Sequence, residues 1–172
     1  GLVNWADKHN IQTAVVPGGD ELKKGPKTLA PIFAKADVVI MNREEAARLV
    51  SIDYEKKEKI AHKMCLLTRG VGVITDGPYG ATACDREYFY HIPTHGNKVL
   101  DRTGAGDAFS SGFVAGLMKF ENIEGALELA ADNGSSVINF FGAKEGILHA
   151  GQRPFKERLK IIKVKIARSV NK

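Results

Sequence analysis

Asp101-Arg102-Thr103-Gly104-Ala105-Gly106-Asp107-Ala108-Phe109 is the stretch on which the fold and the chemistry of this chain turn. Val99-Leu100 leads into it as a strand end, and an apolar helical run over 108–120 leaves it. Glycines at a strand-to-helix junction let backbone N–H groups converge on one point, because no Cβ blocks the approach. The helix that follows adds its unpaired N–H groups and partial positive charge at the same point. Such a junction suits an anion, most often a phosphate. An acid at its mouth repels that anion, and makes sense as a base that takes a proton from whatever attacks the phosphate. The plainer alternative is a strand-to-helix turn, with Asp107 as a first-turn acid favoured by the helix dipole.

Working outward, three apolar, β-branched runs precede this stretch, at 11–16, 37–41 and 72–75, and predict strands. Helical patterns at 28–35, 43–50 and 54–66 separate them. The glycine-containing link Asp76-Gly77-Pro78-Tyr79-Gly80 then joins the 72–75 strand to a strand at 81–85 as a hairpin turn, and 88–92 is a further edge-type strand. Downstream, helices are expected over 105–120, 123–140 and 154–170, with no further strand. Strand–helix alternation implies right-handed crossovers and a parallel sheet with helices on its faces. A single α/β domain over 1–172 follows. In open sheets of this kind ligands bind beyond the carboxyl ends of the strands. Three polar clusters fall at such ends, namely Asn42 with Glu45, Thr75 to Gly80, and Asp101 to Asp107, and their coincidence argues for one shared site.

Composition narrows the function classes. Of 172 residues 44% are hydrophobic and 26% charged, enough for one good core. No apolar run approaches the roughly 20 residues that cross a bilayer, and no stretch resembles a signal peptide. Cys65 and Cys84 lack a CxxC pairing and are expected as buried thiols in a reducing cytoplasm, neither a disulfide nor a metal framework. His91 and His95 flank Pro93, which excludes a helical zinc pair and leaves a solvated edge. The net charge of +5 is concentrated from Arg153 onward, where eight Lys/Arg meet one acid, Glu157. Phe155, Leu159, Ile162, Ile166 and Val170 fall there at helical spacing, so a docked C-terminal helix is expected, with nucleic-acid binding as the alternative. Gly1 is not a methionine and residues 2–9 already read as helix, so a longer protein is expected.

Other phosphate motifs fail. The third glycine of G-x-G-x-x-G would fall at Phe109, no G-x-x-x-x-G-K-[ST] loop occurs, and neither HRD nor DFG is present. Asn42-Arg43-Glu44-Glu45 reads in two ways. Asn42 as N-cap and Glu45 at the third helical position complete a capping box. Alternatively the pair organises a hydrated Mg²⁺ carried by nucleotide phosphates, an ion that needs few direct protein ligands.

Together these residues resemble the ribokinase (phosphofructokinase-B) family of sugar and nucleoside kinases. Residues 99–109 are similar to its D-T-x-G-A-G-D signature, Asn42-x-x-Glu45 to its N-x-x-E motif, and residues 73–80 to its V-T-x-G-x-x-G turn. Asn133 lies in a helix resembling the adenine-side helix, and Gly142 to Gly146 resemble the loop beside it. The resemblance implies the C-terminal part of a three-layer α/β/α fold with a mostly parallel sheet, lacking the N-terminal strands and lid. It implies an ATP-dependent transfer of the γ-phosphoryl group to a sugar or nucleoside alcohol, in the cytoplasm. Asp107 would be the base and Gly104, Ala105 and Gly106 the anion hole. Asn42, Thr75, Asp76, Gly77, Gly80 and Asn133 would serve the nucleotide, Glu45 the Mg²⁺, and Asp101 with the Gly142 loop a monovalent cation such as K⁺. No nucleic-acid or membrane partner is expected, and a homodimer is compatible. Arg102 departs from the family's usual Thr, altering the loop or adding a charge near the phosphates. A fragment that binds ATP or ADP without transfer is the alternative, because most acceptor contacts would lie outside the chain.

Overall fold

Val38-Val39-Ile40-Met41 shows why a sheet forms: each is buried, at 6%, 0%, 1% and 2% exposure, as befits a strand covered on both faces. The computed structural model describes residues 1–166. In chain order the elements are α1 (Leu2–Lys8), β1 (Ala14–Val15), α2 (Gly19–Leu22), α3 (Pro26–Phe33), β2 (Val38–Asn42), α4 (Arg43–Val50), α5 (Lys57–Leu67) and β3 (Val71–Thr75). A 3₁₀ turn (Gly77–Tyr79), β4 (Ala81–Cys84), β5 (Tyr88–Ile92), α6 (Ala105–Phe120), α7 (Ile123–Val137) and β6 (Ile162–Lys165) follow. The strands form one sheet in the order β1-β2-β3-β4-β5-β6. β1 runs parallel to β2, with Ala14 opposite Val38 and Val15 opposite Val39. The links from β3 to β4 and from β4 to β5 are too short for a parallel crossover, so the sheet is mixed.

The chain divides into two units, and each is described by itself. Residues 1–74, 82–90 and those from 162 onward make the first, and residues 75–81 with 91–161 make the second. The core of the first unit joins Leu29 and Phe33 of α3, Val39 and Met41 of β2, Leu49 of α4, Ile60 and Met64 of α5, and Ile74 of β3. Pro26 opens α3 at its first turn, where a missing N–H costs nothing, behind Gly25 at φ 77°. Burying each large side chain of such a core contributes about 1.5–3 kcal/mol. Among the described residues no helix is long and apolar enough to cross a membrane.

Two expectations fail. The helix expected over 154–170 is absent from its described part: 154–161 is irregular and 162–165 is strand β6. Ile166 N–H donates to Glu87 O at 2.7 Å, and Lys163 lies over the rings of Tyr88 and Tyr90 at 4.6 and 4.8 Å. Ile162 and Val164 alternate with Lys163 and Lys165, a period-two pattern that the wider helical spacing conceals. Val170 lies outside the described residues. Cys65 of α5 and Cys84 of β4, expected as free thiols, are bonded to each other, with Cα atoms 5.8 Å apart. Both are buried, at 7% and 2% exposure, and a separation of 19 residues gives no pairing signal in the sequence.

Candidate functional site

The second unit holds the junction loop and a cavity, and side-chain hydrogen bonds explain how the loop is set. Asp101 Oδ1 accepts from the Thr103 backbone N–H at 2.9 Å and from its hydroxyl at 2.7 Å, an Asx-turn. Its Oδ2 accepts from the Gly142 N–H at 3.0 Å, so one carboxylate ties two loops. The Gly142 bond first, and the Thr103 bonds after it, hold the Asp101 carboxyl down at about 2. Gly104 then turns the chain at φ 79°. A Cβ there would lie 2.5 Å from Ala143 O. Both the left-handed conformation and the close approach require glycine.

α6 starts at once. Ala105 N–H donates to Arg102 O at 3.2 Å and Ala108 N–H to Gly104 O at 2.8 Å. The N–H groups of Gly106 and Asp107 have no acceptor among the described residues. They are the open end of a 16-residue helix. Asp107 is exposed in that first turn.

The 76–80 turn is closed by Asp76 N–H donating to Gly80 O at 2.8 Å and Tyr79 N–H to Asp76 O at 3.0 Å. Gly77 and Gly80 take φ 52° and 89°. A Cβ at Gly80 would collide with Ile92 O. Between this turn and the first turn of α6 lies a cavity of about 480 Å³. Thr75, Gly77 and Gly80 line it from the turn, and Ala105, Gly106 and Phe109 from α6. Ala131, Gly134 and Ser135 add a wall from α7, and Asn97 and Arg102 add polar groups. Its size and its few polar groups on apolar walls are those of a small-molecule site.

Not every expected residue enters that cavity. Asp107 and Asp76 do not line it. Asn133 is buried at 5% exposure, and its amide is spent within the protein. Its Nδ2 donates to Ala108 O at 2.7 Å and its Oδ1 accepts from Leu148 N–H at 2.9 Å. Asn42 and Glu45 belong to the first unit and form the capping box: Glu45 N–H donates to Asn42 Oδ1 at 2.8 Å, and Asn42 N–H to Glu45 Oε2 at 3.0 Å. Among the described residues no cluster of three or more His, Cys, Asp or Glu could hold a metal ion.

The 93–97 segment is also fixed in place, although no motif marks it in the sequence. Asn97 Nδ2 donates to Ser135 O at 3.0 Å and to Asn139 Oδ1 at 2.8 Å, fixing the segment to α7. His95 is not on a solvated edge: its side chain is 8% exposed, with Nε2 2.7 Å from Asp132 Oδ1. Its ring stacks on Phe155 at 3.7 Å between centroids. Only the polar side chains 97, 132 and 135, scattered over forty residues, could have signalled this.

The family model for pfkB family carbohydrate kinases matches residues 8–150. An uncharacterized sugar kinase of Archaeoglobus fulgidus is 30% identical over 158 residues, covering 84% of this chain and 60% of its own length. A cytidine kinase of Thermococcus kodakarensis is 29% identical, covering 72% and 44%. The crystal structure of a probable sugar kinase from Rhizobium etli superposes with a TM-score of 0.74 at 23% identity, over 82% of this chain and 43% of that one. The chain thus spans 60% or less of the length of each of these proteins.

Proposed function

Since the chain belongs to the pfkB family of carbohydrate kinases, we propose that it is the nucleotide-binding part of an ATP-dependent phosphotransferase. The acceptor is an alcohol of a sugar or nucleoside. One observation carries the reading: the first turn of α6 and the glycine turn at 77–80 wall the same cavity of about 480 Å³. A nucleotide in that cavity would bring its phosphates to the open N–H groups of Gly106 and Asp107.

In the proposed reaction the acceptor oxygen attacks the γ-phosphorus, the bond to the β–γ bridging oxygen breaks, and ADP leaves with that electron pair. Asp107 takes the acceptor's proton and later releases it to solvent. Gly104 permits the turn, and the fixed N–H donors of the junction stabilise charge on the transferred group. Asn133 acts by position, holding α6 to the segment at Leu148.

The residues fit Mg²⁺ only as an ion carried by the nucleotide. Sparse donors suffice for an ion that keeps most of its waters. When bound, Mg²⁺ would neutralise phosphate charge. They do not fit K⁺ at Asp101 equally well, because that carboxylate already accepts three hydrogen bonds.

The test is a phosphoryl-transfer assay of the 172-residue chain with Mg-ATP and a panel of sugars and nucleosides, beside calorimetric ATP binding. Asp107→Asn should lower turnover about 10²–10⁴-fold and leave ATP affinity unchanged. Turnover within tenfold of the parent would sink the role of Asp107. Binding without transfer to any acceptor would favour the second reading, a nucleotide-binding fragment, which the partial span of its relatives supports.

A further inference from the structure

Arg102 follows Asp101 in the junction loop and contributes to the wall of the cavity. Its backbone is committed: the carbonyl accepts from Ala105 N–H, and its N–H supports the Asp101 carboxylate. Its guanidinium, by contrast, makes no hydrogen bond or ion pair among the described residues. The acid beside it cannot neutralise it cheaply. Asp101 spends both oxygens on Thr103 and Gly142, and pairing with Arg102 would release the two loops that it ties. The loop thus isolates a positive charge at the rim where the open N–H groups of Gly106 and Asp107 also emerge.

We propose that Arg102 is a phosphate-binding side chain that clamps the polyphosphate of the donor nucleotide against the first turn of α6. The inference rests on the nucleotide reading of the cavity given above. Its position selects the donor over the acceptor. Arg102 lines the cavity together with Thr75, Gly77 and Gly80, whereas Asp107, the proposed base for the acceptor, does not. A guanidinium offers five donors in a planar fork that matches two phosphate oxygens at once, and it stays charged at every working pH. Charge-assisted bonds of this kind change affinity roughly ten- to hundredfold. Arg102 therefore makes affinity depend on the number of phosphates, and on Arg in place of Lys, because only the fork spans two oxygens.

The experiment titrates ATP, ADP, AMP and adenosine into the parent chain, Arg102→Gln and Arg102→Lys by calorimetry, with thermal unfolding of each as a folding control. The expected result is at least a tenfold loss of ATP affinity in Arg102→Gln, a smaller loss for ADP, and none for adenosine. Arg102→Lys should recover part of it. A loss equal for ATP and adenosine would show a structural role and overturn the proposal, as would unchanged affinity for every ligand. A second arm measures KM for ATP and for phosphorylated and unphosphorylated sugars. A rise confined to the phosphorylated sugar would move Arg102 to the acceptor side and overturn the donor assignment. Parent chain that binds none of the four ligands would bring down the nucleotide reading itself, and the clamp with it. Parent binding with an inert Arg102 would bring down the clamp alone.

Discussion

Asp101 has more demands on it than any other residue of the junction. Its carboxylate is ordinary at 3.8 in a free chain and held at about 2 here, chiefly by the Gly142 N–H. A depressed carboxyl contributes stability that is full above its ordinary value and is lost as pH falls through the folded value. The window is therefore pH 4 down to about 2. Asp101→Asn, which cannot be ionised, should melt lower than the parent at pH 6, and the two melting curves should converge towards pH 2. A gap that stays constant from pH 6 to pH 2 would show that the charge of Asp101 does not hold the loops. At this scale the sequence was informative about glycines, since Gly104 and Gly80 occupy positions where both φ and close backbone approach exclude a side chain. It was less informative about amides. Asn133 reads as a polar residue on a helix face, and only the fold shows both ends of its amide used internally.

Helices α6 and α7 pack through small residues. Added at Gly116, a Cβ would lie 2.5 Å from Ala126 Cα, and at Gly112 3.0 Å from Ala130 Cα. In an exposed helix Gly→Ala gains about 1 kcal/mol. At Gly116 the obstacle is backbone, which cannot swing away, so overpacking at about 1–3 kcal/mol should win. Gly116→Ala is thus expected to lower the urea midpoint of the chain, and a raised midpoint would mean that the helices separate at little cost. Elements with a single unambiguous period were legible: α6 and α4 lie where the pattern puts them, residues 105–120 and 43–50, and so does β5 at 88–92. β6 was not, because apolar positions 155, 159, 162 and 166 satisfy a helical spacing while 162 and 164 satisfy a strand. Local pattern cannot arbitrate there. The pairing of Ile166 with Glu87 decides it, and that contact is remote in sequence.

At the scale of the whole molecule, β6 closes the last position in the sheet order, with all four residues exposed. Deleting everything after Ile161 would bare the hydrogen-bonding edge of β5, flanked by Tyr88 and Tyr90. Unpaired edges template association, so the truncated chain should sediment as larger species than the intact one. Identical sedimentation would show that β5 needs no cover. Two of the three polar clusters seen in the sequence, Thr75 to Gly80 and Asp101 to Asp107, contribute residues to one cavity, but the sequence could not show that the chain passes between two units four times, at 75, 82, 91 and 162. That ordering has a consequence for biosynthesis. Glu87 leaves the ribosome about 80 residues before Ile166, which at roughly 5–20 residues per second is a delay of roughly 4–16 s. Through that interval the nascent chain carries a finished β5 without its final partner, and it depends on whatever shields it in the exit-site environment until translation delivers the last strand.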